Sequence, residues 1–217
     1  MDLTHTCLPI ESLRLIDIRC PGPPRTDDID ALRKIATTHT LRFLAYDHTI
    51  WAHYIFTDST PCPPLMALDV EFPIQKDRPR VPNGFINFLE ALTSLRTLVL
   101  RNNVPALPLF SIALPALHAF SSPFNAISSI CSRNSNITKL NIRDEAVLPC
   151  LYKAFEEVHT NLSGVQELAL FVGDCDDEVM LAIVAHFPSL RKLQVRYARD
   201  GPSEVCYLIS SISFRPG

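Results

Sequence analysis

One stretch of this 217-residue chain matches a serine nucleophile with a lysine base three residues on: Ser189-Leu190-Arg191-Lys192. That chemistry needs the serine at the start of a helix, with the lysine one turn later on the same side. The surrounding run Pro188-Ser189-Leu190-Arg191-Lys192-Leu193-Gln194-Val195 alternates apolar and polar residues and reads as a strand, which separates the pair. Asp174-Cys175-Asp176-Asp177-Glu178 suggests a cation site. The same charges favour the start of a helix carrying Val179, Met180, Ile183, Val184 and Phe187, with Asp176 or Asp177 as its cap. The seven histidines never fall into metal-ligand spacing, six scattered glycines cannot cradle a phosphate, and G-x-S-x-G and H-E-x-x-H are absent. The expectation is a protein without catalytic chemistry, metal or cofactor. Asn136-Ile137-Thr138 and Asn161-Leu162-Ser163 are glycosylation acceptor sequences, which matter only on a secretory route.

Bulk properties narrow the partners. A net charge of −3 gives no basic field for nucleic acid, and 47% hydrophobic with 20% charged residues is the balance of a folded chain. No run approaches the 18 apolar residues of a membrane span, and Met1–Cys7 has neither the basic start nor the apolar stretch of a signal peptide. Seven dispersed cysteines, odd in number and without a C-x-x-C, suit reduced thiols in the cytoplasm or nucleus.

The elements that position these residues follow from a recurring phrase with apolar residues at offsets 0, 3 and 5. The clearest copy is Leu190, Leu193, Val195; others start at Leu65, Leu95, Ile137 and Val165, and looser ones at Leu13, Leu41 and Leu117. Successive starts lie 20 to 30 residues apart, and the form and period are those of a leucine-rich repeat. The fold expected is an α/β solenoid of about eight irregular repeats in one domain over residues 1–217. Its strands start near 13, 41, 65, 95, 117, 137, 165 and 190. A curved parallel sheet should form the concave side, and helices or irregular turns the convex side.

Between the phrases, apolar stripes with helical spacing run through Ile29, Leu32, Ile35, then Phe85, Phe88, Leu89, Leu92, then Leu151, Tyr152, Phe155, Val158 behind Pro149. From Leu95 to Ile137 the gaps are too short for long helices, so 3₁₀ or irregular connections are expected. A last stripe, Val205, Leu208, Ile209, Ile212, reads as helical. No polar cap follows it, so the array is expected to be incomplete at its C-terminal end.

Proline-preceded L-x-x-L-x-L phrases separated by apolar helices resemble the intracellular leucine-rich-repeat proteins, above all the repeat region of F-box proteins of the fungal type. The resemblance implies a substrate-recognition role in a ubiquitin-ligase receptor. It implies the adaptor of a cullin-type ligase as partner only if an F-box exists outside this chain. Leu8-Pro9-Ile10-Glu11 imitates an F-box opening, but Pro21-Gly22-Pro23-Pro24 breaks the chain where its helices should continue. The asparagine of the family's turn is matched by Asn103 and Asn125 and replaced elsewhere by Pro73, Gly173 and Ala198.

The residues for function are then those alternating with the buried leucines. The protein-binding set expected on the concave face is Phe43, Asp47, Asp69, Glu71, Arg101, Lys139, Asn141, Arg143, Glu167, Phe171, Lys192, Gln194 and Arg196. Asp47, Asp69 and Glu71 form an acidic patch in the N-terminal half, and Lys139, Arg143, Lys192 and Arg196 a basic one in the C-terminal half. Leu15, Asp17 and Arg19 stand in the same set at the first phrase. The partner expected is a protein, with neither nucleic acid nor membrane. A secreted or surface recognition repeat protein is the alternative.

Overall fold

The computed structural model describes residues 11–15, 26–27, 30–31, 34, 41–46, 64–72, 83–102, 112–146, 148–173, 177–198 and 205–208. Nine strands form one open sheet in the order of the chain: β1 (Ser12–Leu15), β2 (Phe43–Tyr46), β3 (Ala67–Glu71), β4 (Thr97–Arg101), β5 (Ala119–Ser122), β6 (Lys139–Ala146), β7 (Glu167–Val172), β8 (Lys192–Tyr197) and β9 (Val205–Leu208). Strands β1 to β8 are parallel throughout, and the 16 or more residues between successive strands supply the crossovers that parallel pairing needs. The arrangement is α/β and compatible with a solenoid.

The phrase explains the strands. Its middle and last apolar residues alternate with polar or small ones, so one face buries Leu44, Leu68, Leu98, Phe120, Leu140, Leu168 and Leu193 in a single cross-strand row. Each such burial contributes about 1.5–3 kcal/mol relative to exposure. A second row repeats outside the strands proper. The carbonyls of Glu11, Arg42, Met66, Arg96, His118, Thr138 and Gln166 each accept two successive N–H groups of the next strand, at 2.8–3.0 Å. The residue before that step is held by a turn, as in Leu95 N–H to Leu92 O and Val165 N–H to Leu162 O.

Helices α1 (Asn83–Ala91), α2 (Ile127–Cys131), α3 (Leu148–Leu162) and α4 (Asp177–His186) fill the connections. A 3₁₀ turn at Phe124–Ala126 leads into α2, so the expected short connection holds where it is described. The apolar stripes of the helices join the same cluster as the strand leucines: Phe85, Phe88 and Leu89 from α1, Leu151, Phe155 and Val158 from α3, Val179 and Ile183 from α4. Phe72 meets Phe85 edge-on at 6.1 Å, and Phe155 meets Phe187 at 4.9 Å, while Tyr152 of α3 is only half-buried. Val184, expected in the core, is exposed together with Leu181, because α4 is apolar on more than one side. Residues 26–27, 30–31 and 34 are helical, where the first stripe is expected; Ile29, Leu32 and Ile35 lie outside the described residues.

Three expectations need correction. Leu13 stands opposite Leu44, not Leu41, so Leu15 falls in register with Tyr46 and Val70 and not with Phe43 or Ala45. Ile10, Leu13 and Leu15 carry the same 0, 3, 5 spacing as Leu13, Ile16 and Ile18, and the register selects the earlier copy. Asp17 and Arg19 lie outside the described residues. Second, Val205–Leu208 is a strand, antiparallel to β8, where a helix was expected. The seven residues 198–204, with Gly201-Pro202, are too few for a parallel crossover but enough for a hairpin return, and Val-Cys-Tyr-Leu is a β-favouring run. A further strand therefore lines the edge of β8. Third, β6 is bulged: Asn141 faces Ala169 but Glu145 faces Phe171, so two extra residues are inserted in β6.

Candidate functional site

The open face of the sheet is built by the residues that alternate with the leucines. Its first row across the strands is Phe43, Ala67, Thr97, Ala119, Lys139, Glu167, Lys192; its central row is Ala45, Asp69, Val99, Ser121, Asn141, Ala169, Gln194. The expected site residues within the described part all fall on this face, but not as two opposed charge patches.

In the N-terminal half the charges are consumed internally. Arg101 Nε donates to Asp69 Oδ1 at 2.7 Å, and its Nη2 donates to Asp69 Oδ2, a two-pronged pair in which both partners are partly buried. Glu71, opposite Arg101 in the register, accepts from Asn102 Nδ2 at 2.8 Å. Asn102 also donates to the Phe72 carbonyl at 3.1 Å, and its positive φ of 61° is a conformation asparagine tolerates better than most residues. Asn103 and Asp47 lie outside the described residues, and Asn125 sits exposed on the 3₁₀ turn. Asp69 and Glu71 are therefore not a free acidic patch. Phe43 is half-buried at the edge of this region.

In the C-terminal half, Lys139 and Glu167 stand directly opposite and pair at 2.7 Å, the lysine exposed and the glutamate half-buried. Arg143, Lys192 and Arg196 are exposed, Phe171 and Gln194 are half-buried, and Asn141 is exposed. Two adjoining hollows lie between them. One of about 280 Å³ is lined by Asn141, Arg143, Ala169, Phe171, Gln194 and Arg196, with the backbone of Ile142 and Leu170 behind them. The other, of about 210 Å³, reaches from Thr97, Ala119 and Ser121 to Lys139, Glu167, Lys192 and the shared Asn141, Ala169 and Gln194. Ala169 makes the space, since a small residue sits in the centre of a row whose neighbours are amides. The Ser121 hydroxyl is buried at the far end with no hydrogen-bond partner.

The bulge sets the upper rim. Asp144 Oδ1 accepts the Phe124 N–H at 2.5 Å, tying β6 to the 3₁₀ turn. The residue is exposed as a whole, yet burial of its carboxyl outweighs that hydrogen bond and raises its pKa above the ordinary carboxylate value. Glu145 reaches over Gly173, where a Cβ would meet its Oε1 at 2.6 Å. Arg143 therefore does not face Phe171 across the strand, as the unbroken repeat implies; Glu145 holds that position.

Sequence reading missed Asn134. It is buried at the place where other copies carry Leu92, Leu114, Leu162 and Phe187, and it accepts the Leu114 N–H at 2.6 Å while donating to the carbonyls of Ile130 (2.6 Å) and Ile112 (3.3 Å). A lone polar residue in an apolar column is the signal that identifies it. Other chemistry-bearing stretches fall apart. Ser189 lies in an exposed turn and Lys192 opens β8, on different elements. Residues 174–176 lie outside the described residues, and no group of three metal-ligating side chains occurs among those described. Cys131 is buried in the core, which pushes its thiol up to about 12, so it is inert as a nucleophile. No helix among the described residues is long and apolar enough to cross a membrane. No protein-family model matches the chain, and no curated protein matches it as a relative.

Proposed function

We propose that the chain is a leucine-rich-repeat solenoid, with its helices on the convex side, that acts as a protein-interaction module through the open strand face. The observation that carries the reading is the pair of adjoining hollows over β5–β8, on the one broad surface that the repeat leaves free of leucines. The role that fits the sequence resemblance is substrate recognition in an F-box-like ubiquitin-ligase receptor of the cytoplasm or nucleus, the adaptor being bound by an F-box outside this chain. The geometry of the two glycosylation sequences weighs against a secreted recognition protein. Asn136 Nδ2 donates to the Pro115 carbonyl at 2.8 Å, and Asn161 Nδ2, half-buried, donates to the Ser132 carbonyl at 2.6 Å. A glycan on either nitrogen would crowd a bond between neighbouring connections.

The test is capture of partner proteins from cells that express the chain, with all four of Lys139, Arg143, Lys192 and Arg196 changed to Glu. Partners should be lost with the fold intact by circular dichroism. An equal set of reversals on the helix side, including Lys153 and Arg133, should leave capture unchanged. Capture that survives the first set and fails with the second would place the interaction on the helices and overturn the reading.

A further inference from the structure

The larger hollow coincides with the break in the strand ladder. Its lining on β6 and β7, Asn141 to Arg143 and Ala169 to Phe171, falls between the two points of register, Asn141 opposite Ala169 and Glu145 opposite Phe171. The two extra residues bend β6 there, and a bulge leaves main-chain groups of the bulged strand without a cross-strand partner. On the reading that the open face binds protein, we propose that this hollow is its specificity pocket and receives the carboxamide of an Asn or Gln side chain of the partner.

Charge does not favour an ion. Arg143 and Arg196 line the hollow, but Asp144 is next to the first, Glu145 stands opposite Phe171, and Asp174, Asp176, Asp177 and Glu178 follow β7 in the sequence. Arg196 and Gln194, on the β8 wall, have contacts of their own. An anion would meet Glu145 and a cation would meet Arg143, so a neutral group enters without a like-charge neighbour.

Hydrogen bonding and shape select among neutral groups. The side chains of Asn141 and Arg143 are paired with no described residue. Asn141 offers both donors and an acceptor, Arg143 donors alone, and the interrupted main chain of β6 adds more of each kind. A carboxamide holds an acceptor oxygen and two N–H donors in one plane and so answers both; a hydroxyl has a single donor and an aliphatic group none. Ala169 and Phe171 supply a flat apolar wall. At about 280 Å³ the hollow is just below the roughly 300 Å³ at which pockets enclose a small ligand, which suits one side chain better than a cofactor.

Asp144 is then a positioning residue. Its carboxylate ties the bulge to the Phe124 N–H at 2.5 Å, and Gly173 leaves the room that Glu145 occupies. Neither Asp144 nor Gly173 lines the hollow.

The experiment is selection of the full chain against a library of random displayed octapeptides. The selected pool should be enriched in Asn or Gln at one position. Replacing that residue of the best peptide by Asp, Glu or Ala should weaken binding about tenfold or more, and added salt should change the affinity little. Ala169→Trp, which fills the hollow without changing charge, should lose about tenfold or more. Asp144→Ala should lose comparably, while Asp144→Asn, which can still accept from Phe124, should bind as the parent does. Lys153→Glu on α3 should also bind as the parent does. Selection of acidic, basic or purely apolar peptides, selection of nothing, or undiminished binding in Ala169→Trp would each overturn the pocket. Undiminished binding in Asp144→Ala, or equal loss in Asp144→Asn, would overturn the positioning role. If the capture experiment still maps partners to the strand face, the interaction reading survives and the amide pocket alone is wrong. If capture maps to the helices, both fall.

Discussion

The two halves of the open face occupy the same positions in the same repeat and behave differently. Over β3 and β4 the charged residues find one another: Asp69 is bound by Arg101 on the diagonal, and Glu71 by Asn102. Over β6 to β8 Lys139 pairs with Glu167, and Arg143, Lys192 and Arg196 stand around a floor lowered by Ala169. Both halves rest on the same buried cross-strand row, Leu68 and Leu98 in one and Leu140, Leu168 and Leu193 in the other. What separates the two halves is the identity of the cross-strand neighbour, and a list of exposed charges does not contain that information.

The contrast can be broken or sharpened by substitution. The largest effects should be blind to it: Leu98→Ala under the first half and Leu168→Ala under the second should each cost about 2–5 kcal/mol in urea unfolding, because one continuous core lies beneath both. A difference well beyond that range between the two would mean the halves have separate cores. Asn134→Leu should cost about 1–3 kcal/mol, since it strips the buried Leu114 N–H of its acceptor. Next comes the contrast itself. Asp69→Ala should cost about 1–3 kcal/mol by removing the two-pronged partner of a partly buried guanidinium, and a double-mutant cycle with Arg101→Ala should show the coupling. Lys139→Ala, whose partner is exposed, should cost about 0–1 kcal/mol.

Much of the fold is legible in the sequence because the leucine spacing encodes strand position and facing at once. Where it failed, the local pattern was degenerate. Two overlapping copies of the phrase exist around Leu13, and only pairing with β2 selects between them. Val205 to Ile212 satisfies a helical period and a β-favouring run together, and the short connection after Tyr197 decides for the strand. The β6 bulge has no glycine or proline to announce it, since it is stabilised at a distance by the Phe124 N–H on Asp144. The candidate site was legible as a set of outward positions but not as a site. Pairing of Asp69 with Arg101, and the space above Ala169, exist only once the strands are in register.

The smallest expected effect lies at that bulge. Burial holds the Asp144 carboxyl above its ordinary pKa, so the folded state keeps that proton more tightly than the unfolded chain does. The contribution is most favourable at acid pH, below the unfolded value, and stability should fall as pH rises from the ordinary carboxylate range through the raised one. Asp144→Asn, which can still accept from Phe124, should remove that part of the pH dependence in thermal unfolding. A dependence of opposite sign would show that the hydrogen bond, not burial, dominates.

The contrast between the halves is tested most directly by photo-crosslinking from the central row in cells, with the reactive side chain placed in turn at Gln194 and at Val99. The two positions occupy equivalent places in β8 and β4. A partner protein should be crosslinked from Gln194 and not from Val99. Crosslinking from Val99 alone, or equally from both, would contradict the assignment of the binding surface to the C-terminal half.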